Sequence, residues 1–234
     1  MSASSTVENY LKAIYTGSVV PGGERRLLPM GHLAAALGVT PGTATTMVKT
    51  LDESGLVHYE PYTGVALTPA GQKLAALVLR RHRLIELFLV QIMGLSWDEV
   101  HEDAEHLEHV VSDRLIERMD EMLGTPAVDP HGDPIPDADG VVRTEASHSL
   151  LTCPLGESMR VARVLDQDRA FLRFIEQHDL KPGRAIRVVS RHTAADSVEV
   201  ATTDGRTLTI GTRAASKLLV HPAGSADARA DAQQ

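Results

Sequence analysis

The sequence predicts a mainly α-helical chain with small β elements, built in three parts. Three observations carry this reading. Helically spaced apolar residues dominate the first half, the stretch "GTPAVDPHGDPIPDADGVV" is dense in Pro, Gly and Asp, and short strand-like runs follow it.

In chain order, "STVENYLKAIYTG" places Val7, Tyr10, Leu11, Ile14 and Tyr15 at helical spacing, with Gly17 as a stop. "RLLPMGHLAAALGVTPGTATTMVKTLDESGLVHYE" reads as two short helices joined by a tight turn at Gly38. Thr40 can N-cap the second of these, with Pro41 in the first turn, where a missing N–H costs nothing. Ala44, Met47, Val48 and Leu51 share its buried face, which turns Thr43, Thr46, Lys49 and Thr50 outward, and Gly55 ends it. "LVHYEPYTGVALT" is two strand-like runs around a Pro-Tyr-Thr-Gly turn. Helix, helix, turn, helix, hairpin is the winged helix-turn-helix order.

A long amphipathic helix is expected from about Thr68 to Ile92, stopped by Gly94. A second, "SWDEVHEDAEHLEHVVSDRLIERMDEML", is expected to start on Ser96 as N-cap with Glu99 as its capping-box partner. Two such helices form an antiparallel pair and can dimerise through an exposed apolar stripe. Beyond the Pro/Gly/Asp-rich linker, "SMRVARVL", "AIRVVSRH", "SVEVATTD" and "TLTIGTRA" look like strands and "DRAFLRFIEQHDL" like a helix, so a small β-barrel is expected. The tail "AGSADARADAQQ" has the composition of a disordered segment. The expected domains are therefore 1–72, 73–145 and 146–222, with a tail at 223–234.

Composition narrows the function. The chain has 234 residues, 43% of them hydrophobic, yet no run approaches the roughly 20 apolar residues of a membrane span and no secretory pattern opens it. A cytoplasmic protein without a membrane partner is expected. A single cysteine, Cys153, excludes an internal disulfide and Cys-rich zinc, so any metal must use nitrogen and oxygen ligands. The net charge of −8 is unevenly spread: residues 82 to 145 hold four basic and sixteen acidic side chains, whereas residues 1 to 81 hold seven and five. The acidity of the middle therefore does not exclude DNA binding by the first third.

That middle segment also concentrates ligand chemistry. At about 100° per residue, His101, Glu105, Glu108 and His109 fall within an arc of roughly 100° at the edge of the buried stripe. On the preceding helix His82 and Glu86 form an i, i+4 pair. Acidic and histidine residues often only solvate a helix face, but six on facing sides of two helices suit Mn²⁺, Fe²⁺, Co²⁺ or Zn²⁺, and the hard oxygens lean toward manganese or ferrous iron. A catalytic metal is the weaker reading: the zincin spacing fails at Glu105, the paired Glu-x-x-His motifs of di-iron bundles are absent, and no phosphate loop or nucleophile elbow occurs. The rival functions are a metal-binding hydrolase and a metal-independent winged-helix regulator.

The stretches "VENYLKAIY", "ALGVTPGTATTMVKTLDESGLV", "LTPAGQKLA", "RRHRLIELFL", "WDEVHEDAEHLEHVVSD" and "DPHGDPIP" together resemble the DtxR/MntR family of metal-dependent transcriptional repressors. The resemblance implies a winged-helix domain, a helical dimerisation domain carrying two metal sites and a C-terminal SH3-like (FeoA-like) domain. It implies no enzyme and no small-molecule substrate, but a homodimer on palindromic double-stranded operator DNA. The regulatory site would use Asn9, Glu105, Glu108 and His109; the ancillary site would use His82, Glu86 and His101, with Asp166 and Asp168 as candidates from the last domain. Two departures from the family pattern matter. Glu105 stands where iron sensors place a cysteine, whereas Asn9 and Lys12 stand where manganese sensors place acidic residues. Mn²⁺ is the expected effector and Fe²⁺ the alternative, with Zn²⁺, Co²⁺ or Cd²⁺ able to substitute in vitro. On the recognition helix the resemblance points to Thr40, Pro41, Gly42, Thr43, Thr46 and Lys49 as DNA contacts.

Overall fold

The computed structural model describes residues 4–18 and 26–223. Helix α1 (Ser5–Gly17) is N-capped by the Ser4 hydroxyl, which accepts from the Val7 amide. Helices α2 (Met30–Ala36) and α3 (Pro41–Glu53) follow, joined through Gly38 at φ +63. The Thr40 hydroxyl accepts from the Thr43 amide at 3.2 Å and Pro41 occupies the first turn of α3, as its residue types require. Strands β1 (Val57–Glu60) and β2 (Gly64–Leu67) pair antiparallel from Val57 opposite Leu67 to Glu60 opposite Gly64, so the Pro-Tyr-Thr-Gly segment is the hairpin turn. Leu11, Ile14, Leu33, Ala44, Val48, Leu51 and Val65 close the core beneath this wing.

Helix α4 (Pro69–Gln91) is the long helix expected from the apolar spacing. The next region departs from expectation. Instead of one helix begun at Ser96, there are two, α5 (Val100–Leu107) and α6 (Asp113–Met122). Ser96 is not the cap; its hydroxyl bonds the Asp98 carboxylate, and Trp97 is buried. The chain leaves the helix at Glu108 and re-enters at Asp113, where the Ser112 carbonyl accepts from the Ile116 amide. The wheel drawn through His109 therefore fails beyond Leu107. Two adjacent β-branched valines followed by a serine, Val110-Val111-Ser112, favour a break and a new helix start over continuation.

The C-terminal region holds β3 (His148–Ser149), β4 (Met159–Val164), α7 (Arg169–Gln177), β5 (Ala185–His192), β6 (Ser197–Thr202), β7 (Thr207–Gly211), the short α8 (Thr212–Ala215) and β8 (Leu218–Pro222). The sheet order is β3-β8-β4-β5-β6-β7, every pairing antiparallel. The expected barrel is corrected to an open six-stranded sheet, because β3 and β7 are unpaired edges among the described residues. Its apolar face, with Met159, Val161, Val188, Val198, Val200 and Val220, packs on α7 through Leu172 and Ile175. Residues 224–234, which carry the expected disordered tail, lie outside the described residues.

The chain forms two compact units. One comprises Met1–Ile85, Glu105–Met122 and Ile135–Arg143; the other comprises Glu86–Ala104, Leu123–Pro134 and Thr144–Gln234. The helical middle is thus divided between them. Within the first, buried Arg80 on α4 donates to the Pro136 carbonyl at 3.2 Å and to Asp120 at 2.9 Å, fixing α6 and part of the linker to α4. Among the described residues no helix is long and apolar enough to cross a membrane.

Candidate metal centres and nucleic-acid interface

In the first unit, α1 meets the segment that begins at Glu105. His109 is the joint. Its Nδ1 lies 2.6 Å from Glu8 Oε2 and its Nε2 lies 2.8 Å from Asn9 Oδ1 and 3.5 Å from Glu108 Oε1. Glu8 is buried and also pairs with Arg81 at 3.6 Å. A buried carboxylate holding one ring nitrogen while the other faces oxygen donors is the outer-sphere arrangement that orients a metal-binding imidazole. Glu8 was not singled out from the sequence. Its signal was a carboxylate inside the apolar stripe of the first helix.

Glu105 and Glu108 complete this cluster. Glu108 is fully buried; its Oε2 lies 2.6 Å from His82 Nδ1 and its Oε1 accepts from Lys12 Nζ at 2.6 Å. Glu105 Oε1 accepts from the same Lys12 at 2.6 Å and lies 3.7 Å from His82 Nδ1. His82, Glu105 and Glu108 each offer a ligand atom within 4.8 Å of the others. His82, which the resemblance assigns to the ancillary set, thus also stands beside Glu105 and Glu108. Nitrogen and hard oxygen donors on a buried floor fit a divalent cation of the manganese or ferrous type.

The second unit contains another buried group: Glu86, Asp129 and His131, again with ligand atoms within 4.8 Å of one another. His131 Nε2 lies 2.9 Å from the Trp97 carbonyl, which can only accept, so the ring N–H is there. Nδ1 is left with no hydrogen bond, 3.7 Å from Glu86 Oε2 and 4.0 Å from Asp129 Oδ1, on a ring that is fully buried. A histidine whose distal N–H is held by a backbone carbonyl presents its other nitrogen as a ligand. Burial opposes a charged ring here, but Glu86 and Asp129 outweigh it and hold the His131 imidazole above its ordinary value. His101 Nδ1 joins the other oxygen of Glu86 at 3.1 Å.

Local geometry explains this placement. Asp129 Oδ1 accepts from the His131 and Asp133 amides at 2.8 and 2.9 Å, a tight turn that sets His131 inward. Gly132 at φ +85 has no room for a side chain, since a Cβ there would stand 1.9 Å from the Ala162 carbonyl oxygen. Gly132→Ala should therefore destabilise the second unit by at least about 2 kcal/mol, a left-handed backbone plus a steric clash. Urea unfolding monitored by circular dichroism checks it.

Asp166 and Asp168 are placed differently from the expectation. Asp166 pairs with Lys217 and accepts from the Asp168 amide at 3.0 Å, so its carboxyl is held below the ordinary range, chiefly by the Lys217 hydrogen bond. Asp168 N-caps α7 by accepting from the Phe171 amide at 3.0 Å. Neither joins a cluster of three ligand atoms among the described residues.

On α3, Thr40, Pro41, Gly42, Thr43, Thr46 and Lys49 are all exposed, opposite the buried Ala44, Val48 and Leu51. The Thr46 hydroxyl donates to the Gly42 carbonyl at 3.0 Å.

Comparison with known proteins matches this organisation. Residues 2–65 match the family described as iron dependent repressor, N-terminal DNA binding domain; residues 68–137 match its metal binding and dimerisation domain; and residues 148–222 match the FeoA domain. The diphtheria toxin repressor of Corynebacterium efficiens is 32% identical over 189 residues, covering 78% of this chain and 80% of that protein. The chain belongs to the iron-dependent repressor family. Among other relatives of this repressor, the iron-dependent repressor IdeR of Mycobacterium tuberculosis is 35% identical over 132 residues, 56% of this chain and 55% of its own. A solved manganese-dependent transcriptional repressor in complex with manganese is 40% identical with a TM-score of 0.84, covering 92% of this chain and 99% of that one. ScaR with bound Zn²⁺ is 30% identical with a TM-score of 0.74, at 92% and 99% coverage. A hydrolase is not favoured for a member of this repressor family.

Proposed function

We propose that this repressor is activated for operator binding by Mn²⁺, with Fe²⁺ as the second candidate, and that it acts in the cytoplasm as a homodimer without catalysis. The observation that carries the reading is His109, which links Glu8 and Asn9 of the winged helix-turn-helix to the carboxylate Glu108. Asn9, Glu105, Glu108 and His109 form the regulatory site. His82, Glu86 and His101 remain the ancillary set, and Asp129 and His131, grouped with Glu86, take the place of Asp166 and Asp168. The division 1–72, 73–145 and 146–222 assigns DNA contact, dimerisation and the FeoA-like fold in that order.

A bound divalent cation would supply the charge that draws Asn9, Glu105 and Glu108 to one point. The chain does the rest. Glu8 orients His109, and Asn9 lies one residue from Glu8 on α1, so closing the site fixes α1 and with it the packed core that carries α3. Exposed Leu115 and Met122 on α6 supply apolar surface for the partner protomer. Two α3 helices can enter successive major grooves, roughly 34 Å apart, only when that orientation is held. Metal then shifts a population without touching DNA. Short threonine and glycine side chains on α3 offer methyl contacts and close backbone approach, so DNA shape contributes to selection.

The test is fluorescence anisotropy with palindromic promoter duplexes of metal-transport genes at fixed salt, titrated with Mn²⁺, anaerobic Fe²⁺, Zn²⁺ and chelator. Chelator-reversible, sequence-selective binding is expected, with Mn²⁺ activating at the lowest concentration. Equal affinity in metal and in chelator would leave a metal-independent winged-helix regulator.

A further inference from the structure

A cationic side chain of α1, Lys12, stands among the carboxylates of the regulatory cluster. The Lys12 side chain is 13% exposed, and its Nζ lies 2.6 Å from Glu105 Oε1 and 2.6 Å from Glu108 Oε1. Those are oxygens of the two carboxylates assigned to the ion. The lysine is also one helical turn beyond Asn9 on α1, so the same helix brings both the metal-facing amide and this ammonium.

We propose that Lys12 is a tethered cation that competes with the metal for Glu105 and Glu108 and so sets the metal concentration at which the repressor switches. The inference rests on the regulatory-site reading above. Glu108 is fully buried and Glu8 nearly so, and buried carboxylates require a partner. An ammonium donates up to three hydrogen bonds and here places two on opposing carboxylates, which makes it a good occupant of a site built for positive charge. Each metal-binding event must take those oxygens from Lys12. The affinity measured is then the intrinsic affinity reduced by the fraction of molecules in which the carboxylates are released.

Lys12→Met, which keeps the aliphatic length and removes the charge, should bind Mn²⁺ at the regulatory site at least about tenfold more tightly, read from the electron paramagnetic resonance signal of free Mn²⁺ in a titration. The metal-free protein should melt at a lower temperature than wild type, so that added Mn²⁺ raises the melting temperature by more. Lys12→Arg should restore an affinity near that of wild type. If Lys12→Met does not fold, Lys12→Gln provides the same comparison. A lysine with only a structural role predicts the opposite sign, because its loss would loosen the ligands and weaken Mn²⁺. Unchanged or weaker Mn²⁺ affinity in the folded neutral variant, while Glu108→Gln still weakens it, overturns the Lys12 inference and leaves the site. Mn²⁺ affinity indifferent to both substitutions overturns the site reading together with it.

Discussion

Replacing Glu108 by Gln should abolish metal-dependent DNA binding while leaving the winged helix-turn-helix folded. Glu108 is the fully buried carboxylate on which His82, Lys12 and His109 converge. Glutamine has nearly the same volume but offers one neutral carbonyl in place of two anionic oxygens. Loss of an outer-sphere partner alone typically costs roughly 10–100-fold in metal affinity, so loss of a central ligand should exceed about 100-fold. Lys12 keeps Glu105 as its partner, which limits the stability cost to about 1–3 kcal/mol, the range for an altered hydrogen bond to a charged group. Mn²⁺ titration and duplex anisotropy on the same preparation check both halves. Chelator-reversible binding at wild-type Mn²⁺ would remove Glu108 from the site.

The second large effect is expected at His131. His131→Ala should lower the number of Mn²⁺ or Zn²⁺ ions bound per chain by one and destabilise the second unit by about 1–3 kcal/mol, the cost of leaving a buried hydrogen-bonding group unsatisfied. The buried Glu86 carboxylate keeps its contact with His101 at 3.1 Å. The hydrogen bond to the Trp97 carbonyl is lost at the same time. Equilibrium dialysis with elemental analysis measures the first effect and urea unfolding the second. A variant that keeps full metal stoichiometry would reduce Glu86, Asp129 and His131 to a structural ion pair.

Local signals made much of this molecule legible before its structure. The Thr40 cap, Pro41, Gly38 and the helical apolar spacing each act within a few residues, and α1 to β2 follow them closely. Glu105, Glu108 and His109 were visible as candidate ligands because their chemistry is unusual for a helix edge, even though the helix ends before two of them. What failed was nonlocal or ambiguous. The α5–α6 break lies in an amphipathic pattern that a single helix would also satisfy, and the open edge between β3 and β7 depends on closure, which no strand reports. Asp168 illustrates a competing role. An aspartate before a helical run is first a helix cap, and that is where its oxygen is spent. His131 was passed over because it stands among Pro, Gly and Asp in a segment read as a boundary, yet a histidine between Asp129 and Gly132 in such a turn was the available signal.

Trp97 gives the second unit an optical property. It is the only tryptophan in the chain. Its indole stacks on the His131 ring, centroids 5.3 Å apart and planes 25° from parallel, and its own carbonyl holds that ring in place. A paramagnetic ion taken up by Glu86, Asp129 and His131 would therefore quench the protein's intrinsic emission at long wavelength. Filling of that candidate site could be followed in real time, in unlabelled protein, from the brightness of one residue.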